Sequence, residues 1–230
     1  MHKRIDIIDR EIKAVILDMD NTLFDFVEAK LKACSAVVES LGLTDEMVLL
    51  EYFLMNPKNV EDLQSIVRYL QDRNIYTKDT YEKCVEIYEK VKIENIQLYD
   101  GVIRTLDKLC KSKLKLAVVT DAYENNTFAR LKKTGLMKYF DVVVTGDVTG
   151  KKKPDPEPII YALNKLSVKP TETVLVGDSL IRDIEPGKKL GMLTVYAAYG
   201  DRNFFEDKGC KADFVIQNIG ELLEILGINS

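Results

Sequence analysis

The sequence has a single histidine, His2, and little glycine or proline. Hydrolases built on serine–histidine or cysteine–histidine pairs need an imidazole base, and a histidine beside the first residue is expected to lie on a frayed terminus. Twelve glycines and six prolines in 230 residues are too few for a fibrous or disordered chain. The scarcities therefore predict a globular protein, and they exclude enzymes whose mechanism depends on histidine.

Paired cysteines, signal sequences and long apolar runs are also missing. The four cysteines form no C-x-x-C pair, which argues against a zinc knuckle or a thioredoxin-type site, so we expect reduced packing residues. Charge interrupts residues 1–9 before an apolar signal could form, and no run approaches the ~18–20 apolar residues that span a bilayer. With 33 basic and 37 acidic residues, the net charge of −4 implies no general attraction to nucleic acid or membranes. We predict a cytoplasmic protein with neither partner.

What the sequence does contain is a series of short apolar runs, most of which stop at a polar residue. Such runs are typical of strands that are covered on both faces. Amphipathic stretches of helical length lie between them, at 102–110, 127–134 and 158–166. This alternation predicts an α/β fold with a Rossmann-like open parallel sheet. The runs are Ala14–Leu17, Leu116–Val119, Val142–Val144, Val174–Gly177, Leu193–Tyr196 and Phe214–Ile216.

The segment 26–96 breaks this alternation, because it shows helical periodicity only. Apolar residues recur at spacings of three and four in 27–41, 60–70 and 81–91, and Gly42 predicts the end of the first helix. Asp100 and Gly101 predict a turn back into the sheet. We therefore predict an α/β core domain of residues 1–25 and 97–230, with an inserted helical cap domain of residues 26–96.

Carboxylates follow two of the predicted strands. Asp18 and Asp20 follow the first, Thr120 follows the second, and Asp178 and Asp183 follow the fourth. In open α/β sheets, ligands bind beyond the carboxyl ends of the strands, where the strand order reverses. Four carboxylates in one crevice would raise each other's pKa unless a hard divalent cation lay among them. Mg²⁺ prefers oxygen ligands and shares its shell with phosphate, so the pattern favours a magnesium–phosphate site.

Four stretches, in order, resemble the motifs of the haloacid dehalogenase-like (HAD) superfamily of hydrolases. The likeness runs from about residue 13 to residue 196, and the helical insertion lies where that superfamily carries a C1-type cap. Asn21 stands where many relatives have glycine, but asparagine also tolerates unusual backbone angles. The four stretches are Asp18–Leu23, which resembles D-x-D-x-T-L, then Val118–Thr120, Lys153–Pro156 and Gly177–Asp183.

The resemblance implies a role for each carboxylate. Asp18 is expected to be the nucleophile that becomes an aspartyl-phosphate, and Asp20 to be the general acid/base. Bound cation would keep Asp18 ionised, while crowding would raise the pKa of Asp20. Mg²⁺ is expected on the Asp18 carboxylate, the Asp20 main-chain carbonyl and Asp178, with Asp183 in support.

The remaining motif residues are expected to bind the phosphoryl group. Thr120 would donate a hydrogen bond, and its place at the start of a helix would add the amides of Asp121 and Ala122. The lysine run 151–153 offers three candidate cations, of which the likeness to K-P-x-P selects Lys153. Without the cation a phosphate dianion would meet a negative pocket, so substrate binding is expected to depend on Mg²⁺.

These expectations combine into a Mg²⁺-dependent phosphatase that acts on a small phosphorylated metabolite, with sugar phosphates, phosphoglycolate and nucleoside monophosphates all open. A phosphomutase would use the same intermediate but return the phosphoryl group to a sugar. A dehalogenase would need neither the acid/base at Asp20 nor the metal. A phospho-accepting signalling module needs only about half this length and no helical insertion. A regulatory binder that has lost turnover is disfavoured, because every motif position is filled.

Overall fold

The computed structural model describes residues 10–55, 62–202 and 210–228. His2, the rest of segment 1–9 and Val60, which entered the sequence patterns above, lie outside the described residues. The chain divides into two compact units. One comprises the residues up to Asp25 together with those from Leu98 onward, and the other is Phe26–Gln97.

The first unit is built on a six-stranded parallel sheet in the order β3-β2-β1-β4-β5-β6. Each strand coincides with a predicted run to within a residue at either end, which confirms the α/β, Rossmann-like prediction. The strands are β1 (Ala14–Leu17), β2 (Lys115–Val119), β3 (Val142–Val144), β4 (Thr173–Gly177), β5 (Leu193–Ala197) and β6 (Phe214–Ile216).

The strand order reverses beside β1, which has β2 on one side and β4 on the other. Leu17, the last residue of β1, is in register with Val118 and Val176 on these neighbours. All four residues of β1 are buried, as the unbroken apolar run requires. The residues that follow β1, β2 and β4 therefore leave the sheet at one edge, at the switch point where this fold class binds ligands.

Helices of the first unit connect these strands, and two of them differ from the sequence-based expectation. α6 begins at Glu124, so Thr120 does not open a helix as expected but precedes it by four residues. A π-helix spans Leu180–Ile184 directly before α8, and the sequence patterns did not predict it. The helices are α5 (Val102–Lys111), α6 (Glu124–Thr134), α7 (Glu157–Leu166), α8 (Glu185–Lys189) and α9 (Glu221–Ile225), with 3₁₀ turns at Met137–Tyr139 and Pro170–Glu172.

The second unit consists of helices α1 (Phe26–Ser40), α2 (Glu46–Leu54), α3 (Gln64–Asp72) and α4 (Lys78–Glu94). α1 ends as predicted at Gly42, whose φ of 71° lies in the left-handed region that glycine adopts without strain. α2 had not been singled out in the sequence. The four helices share one apolar core, formed by residues such as Cys34, Val37, Leu49, Phe53, Ile66, Tyr69 and Tyr88.

The cysteines and the helix lengths bear on two of the earlier expectations. All four cysteines are free thiols, and Cys34 and Cys84 are buried packing residues as predicted, whereas Cys110 is exposed. Burial raises the pKa of Cys34 to about 12, which keeps this thiol protonated and unreactive. Among the helices in the described ranges, none combines the length and the apolar character needed to cross a membrane.

Candidate active site

Asp18 is the first residue beyond β1, and both of its carboxylate oxygens are held in place. Its amide donates to the Val176 carbonyl at 2.8 Å, which continues the parallel pairing with β4. Lys153 Nζ donates to Oδ1 at 2.5 Å, and Thr22 Oγ1 donates to Oδ2 at 3.1 Å. Only 7% of Asp18 is exposed. The result is a buried, oriented carboxylate at the switch point of the sheet.

The loop after β1 makes this orientation possible through unusual backbone geometry. Asn21 adopts a φ of 62°, the left-handed conformation that asparagine was expected to tolerate. The backbone amide of Asn21 donates to Phe24 O at 2.9 Å, which closes the turn. Gly200 passes so close that a Cβ there would lie 1.6 Å from Asn21 O. Only glycine therefore fits at position 200 against the backbone of this loop.

Lys153 is buried and bridges two carboxylates. Its ammonium group donates to Asp18 and, at 2.6 Å, to Asp183 Oδ1, while its backbone amide donates to Asp121 Oδ1 at 2.9 Å. Burial alone would lower the pKa of Lys153, but the charges of Asp18 and Asp183 more than offset this and raise it. Lys153 thus remains a cation next to the Asp18 carboxylate throughout the neutral pH range.

Asp183 is the second carboxylate that holds the Lys153 ammonium group. Its Oδ2 accepts the Ser179 amide at 3.1 Å, and burial raises its pKa to about 6, against the effect of Lys153. The π-helix that carries Asp183 folds back on the end of β4 so tightly that a Cβ on Gly177 would lie 2.3 Å from Asp183 Cγ. Support of the metal by Asp183 stays a prediction; the structure shows that Asp183 holds the lysine.

Asp178 is the carboxylate that lacks a donor. Both of its oxygens are buried and, within the described residues, accept no hydrogen bond. The nearest cation is Arg182, whose Nη2 lies 3.8 Å from Oδ1 on a side chain that is 40% exposed. Burial raises the pKa of Asp178, and the neighbouring Asp18 raises it further. A buried carboxylate that accepts no hydrogen bonds lacks the partners that its negative charge requires, and a bound cation would supply one.

The three carboxylates together fit a divalent metal ion. Asp18, Asp178 and Asp183 each offer an oxygen, and these oxygens lie within 4.8 Å of one another. Hard oxygen donors of this kind suit Mg²⁺, and the orphaned oxygens of Asp178 supply the independent observation that the site is short of positive charge.

Thr120 lies at the end of β2, where it was expected, but its surroundings differ. The Ala122 amide donates to Thr120 Oγ1 at 3.2 Å, so this amide, expected to bind phosphate, already has a partner within the chain. Asp121 contributes a side chain that holds the Lys153 amide, in addition to the backbone amide predicted for phosphate. The Thr120 hydroxyl group can still donate its proton to a ligand.

Asp20 has a partner that sequence reasoning missed. Arg130, which is fully buried on α6, donates from Nη1 to Asp20 Oδ2 at 2.5 Å. Crowding by like charges had been expected around Asp20, and the structure adds a guanidinium group beside its carboxylate. The separation of 110 residues along the chain hides the pair in the sequence. The only available signal was a basic residue on the same helical face as Thr127 and Leu131.

The family model described as haloacid dehalogenase-like hydrolase matches residues 15–197. That range includes every motif residue that the structure gathers around Asp18. The chain belongs to this family. The resemblance drawn from the four sequence motifs is thereby confirmed.

Two curated relatives and one solved structure show which members of the family this HAD-like hydrolase is similar to. It is 31% identical over 227 residues to a glyceraldehyde 3-phosphate phosphatase of Methanocaldococcus jannaschii, covering 94% of this chain and 97% of the relative. It is 30% identical over 222 residues to a phosphoglycolate phosphatase of Nitrosospira multiformis, covering 94% and 96%. The fold matches the HAD hydrolase YfnB of Bacillus subtilis, whose structure is described as bound to magnesium, with a TM-score of 0.74, 22% identity, and 95% and 100% coverage.

Proposed function

We propose that this HAD-like hydrolase is a Mg²⁺-dependent phosphatase that hydrolyses small phosphate monoesters through an aspartyl-phosphate on Asp18, with Asp20 as general acid/base. The assignment as a phosphoric monoester hydrolase agrees with the named activities of the relatives. One observation carries the finer proposal: Asp18 is a buried, doubly held carboxylate, next to an ammonium group and a carboxylate that lacks donors.

The first half of the reaction forms the phosphoenzyme. An oxygen of Asp18 attacks the phosphorus of the bound ester, and the bond from phosphorus to the ester oxygen breaks. Asp20 in its protonated form gives its proton to the departing oxygen, so that an alcohol leaves instead of an alkoxide. Lys153 and the Thr120 hydroxyl stabilise the charge on the transferring group, because phosphoryl transfer needs positioning and electrostatics more than covalent help.

The second half returns the enzyme to its starting state. Asp20, now a carboxylate, takes a proton from a water molecule as that water attacks the phosphorus of the aspartyl-phosphate. The bond between phosphorus and Asp18 breaks, inorganic phosphate leaves, and Asp20 keeps the proton for the next cycle. Mg²⁺ would be held by Asp18, Asp178 and the Asp20 carbonyl, with Asp183 in support, and would offset the negative charge of the phosphate.

The helical unit is proposed to act as the cap that selects the substrate. The core chemistry requires only a phosphate group and a leaving oxygen, so selection among esters must come from contacts to the leaving group. The relatives named for glyceraldehyde 3-phosphate and phosphoglycolate act on three- and two-carbon esters. We therefore propose a substrate of similar size, and a panel of phosphorylated two- to six-carbon metabolites is the way to find it.

The decisive experiment compares Asp18→Asn with the native chain in p-nitrophenyl phosphate hydrolysis, with Mg²⁺ and with excess chelator. We expect turnover only in the native chain with metal, since asparagine cannot form the acyl phosphate. Asp100→Asn, which neutralises an exposed carboxylate in the same unit, serves as the matched control and should keep its activity. Full activity of Asp18→Asn, or of the chelated native enzyme, would refute the proposal. Transfer of trapped phosphate to a sugar phosphate instead of water would indicate a mutase.

A further inference from the structure

Arg130 is a fully buried arginine that the chemistry above does not use. α6 turns one face toward the interior, which it lines with Thr127, Arg130 and Leu131 at helical spacing. Burying a guanidinium group is costly unless a carboxylate compensates it, and a hydrophobic residue at this position would cost nothing comparable. The presence of arginine on an otherwise ordinary buried face therefore calls for a reason.

The partner of Arg130 supplies that reason. Its Nη1 lies 2.5 Å from Asp20 Oδ2, and the Asp20 side chain is 20% exposed whereas that of Arg130 is not exposed at all. The loop that carries Asp20 has its backbone fixed by the turn at Asn21, but a backbone turn does not fix a carboxylate that can rotate about its own side-chain bonds. A rigid cation on a helix does fix it.

We infer that Arg130 is a positioning residue, which holds one oxygen of Asp20 so that the other oxygen faces the ester and carries the proton. This inference rests on the proposed role of Asp20 as general acid/base. A charge-assisted bond to a buried guanidinium group is short and directional, so it selects one orientation of the carboxylate. Proton transfer is efficient only when the donor lies within hydrogen-bond reach of the leaving oxygen, and a freely rotating carboxylate would seldom do so.

Leaving-group dependence distinguishes a positioned acid from a merely structural contact. p-Nitrophenolate leaves without protonation, whereas the alkoxide of glycerol phosphate needs a proton from Asp20. In Arg130→Gln we expect kcat/KM for glycerol phosphate to fall on the order of 10²-fold, but kcat/KM for p-nitrophenyl phosphate to fall less than about tenfold. Because the second step still needs Asp20 as base, the variant should also release p-nitrophenolate in a burst as the aspartyl-phosphate accumulates.

Further variants distinguish positioning by Arg130 from a general effect of its charge or of helix α6. Arg130→Lys retains the charge without the planar geometry and should recover part of the loss in kcat/KM. Lys133→Gln removes an exposed cation from the same helix and should leave kcat/KM unchanged for both substrates. In the Asp20→Asn background, adding Arg130→Gln should change kcat/KM less than about threefold, because a residue that acts through Asp20 has nothing left to position. This double variant also removes both charges, so it tests the inference even if Arg130→Gln alone fails to fold.

Each outcome separates this inference from the function on which it rests. If Asp20→Asn itself shows no preference for the better leaving group, the acid/base role of Asp20 is wrong. If Asp20→Asn shows that preference but Arg130→Gln lowers kcat/KM equally for both substrates, Arg130 is structural and the inference fails. A further loss of more than about tenfold on adding Arg130→Gln to Asp20→Asn would also overturn it.

Discussion

Asp178 shows how a single side chain can be unfavourable for folding and necessary for a ligand. Its carboxylate is buried, receives no hydrogen bond within the described part of the chain, and faces the charge of Asp18. A donor at this position would satisfy the oxygens but would also occupy the electron pairs that a cation needs. The unfavourable burial is therefore best understood as the counterpart of metal affinity.

This argument predicts that Asp178→Asn stabilises the metal-free protein. At pH 7 in excess chelator, the neutral amide removes a buried carboxylate that accepts no hydrogen bond within the described residues, and we expect a gain of about 1–3 kcal/mol, or several degrees in Tm. Saturating Mg²⁺ should then raise the Tm of the native chain but not that of the variant, because only the native chain binds the ion. Thermal denaturation with and without Mg²⁺ measures both effects.

The pH dependence of this difference follows from the raised pKa of Asp178. The folded state binds the proton more tightly than the unfolded state, where an aspartate has a pKa of about 3.9. The native chain therefore loses stability as the pH rises from about 4 through the raised pKa, and the advantage of Asp178→Asn should grow from pH 5 to pH 7. Asp213→Asn is the control of opposite sign, since hydrogen bonds from Thr194 and Lys188 lower the pKa of Asp213 despite its partial burial. An Asp178→Asn variant that melts below the native chain in chelator at pH 7 would contradict the argument.

Among the elements, the contact between β4 and the π-helix decides where Asp183 lies. The π-helix returns Asp183 onto the end of β4, and only a residue without a Cβ fits beneath it at Gly177. Asp183 cannot move aside freely, because it is bonded to Lys153 Nζ and to the Ser179 amide. A wide helical turn is rare and is often found at functional sites, which agrees with its position here.

Gly177→Ala should therefore weaken both the fold and the site. The new methyl group would lie 2.3–2.5 Å from Asp183 atoms, so we expect a loss of about 1–3 kcal/mol from overpacking and a fall in kcat of at least about tenfold as Lys153 loses its second carboxylate. Gly220→Ala is the matched control, because its nearest neighbour is the movable side-chain oxygen of Asn218 at 3.0 Å, and it should stay within about 0.5 kcal/mol. Equal behaviour of the two variants in melting and in kinetics would show that the contact is unimportant.

The same elements show what the sequence can and cannot predict. Strands such as β1 were predictable because complete burial leaves an apolar run that ends at a polar residue, here Asp18. The π-helix was not, because one additional residue in a helical turn leaves no periodicity to detect. The amphipathic stretch that predicted α6 began at 127 instead of 124, since the first residues of the helix, 124–126, are polar and show no apolar spacing. The Asp20–Arg130 pair was missed because a tertiary contact between distant elements has no local sequence pattern.

At the scale of the whole molecule, we propose different chemical tasks for the two units. The net charge of −4 is spread over many exposed groups, so the whole-chain field contributes little, and the functional charges are the buried ones around Asp18. All of these lie in the sheet unit. The described helical unit contributes none of the carboxylates, the lysine or the arginine assigned above, which is why we propose that it selects the substrate.

The two points at which the chain passes between the units lie close together, so the proposed division of tasks can be tested by deleting the helical unit. The chain leaves the sheet unit after Asp25 and returns at Leu98, and within that unit Phe24 pairs with Leu98 in an antiparallel bridge while Tyr99 N donates to Leu23 O at 3.1 Å. The two ends are thus side by side, and a glycine-rich link of about four residues could join them in place of 26–97, because the closure of a short loop costs little entropy.

We expect the shortened chain to melt cooperatively and to hydrolyse p-nitrophenyl phosphate in the presence of Mg²⁺. Its kcat/KM values for a panel of phosphate monoesters should be lower than those of the full chain and should lie within about tenfold of one another, because the contacts to the leaving group are gone. Asp18→Asn in the shortened chain must abolish the residual activity, which ties that activity to the same nucleophile. A shortened chain that retains the substrate preference of the full enzyme would place specificity in the sheet unit. One that fails to melt cooperatively would show that the sheet unit depends on the helices for its stability.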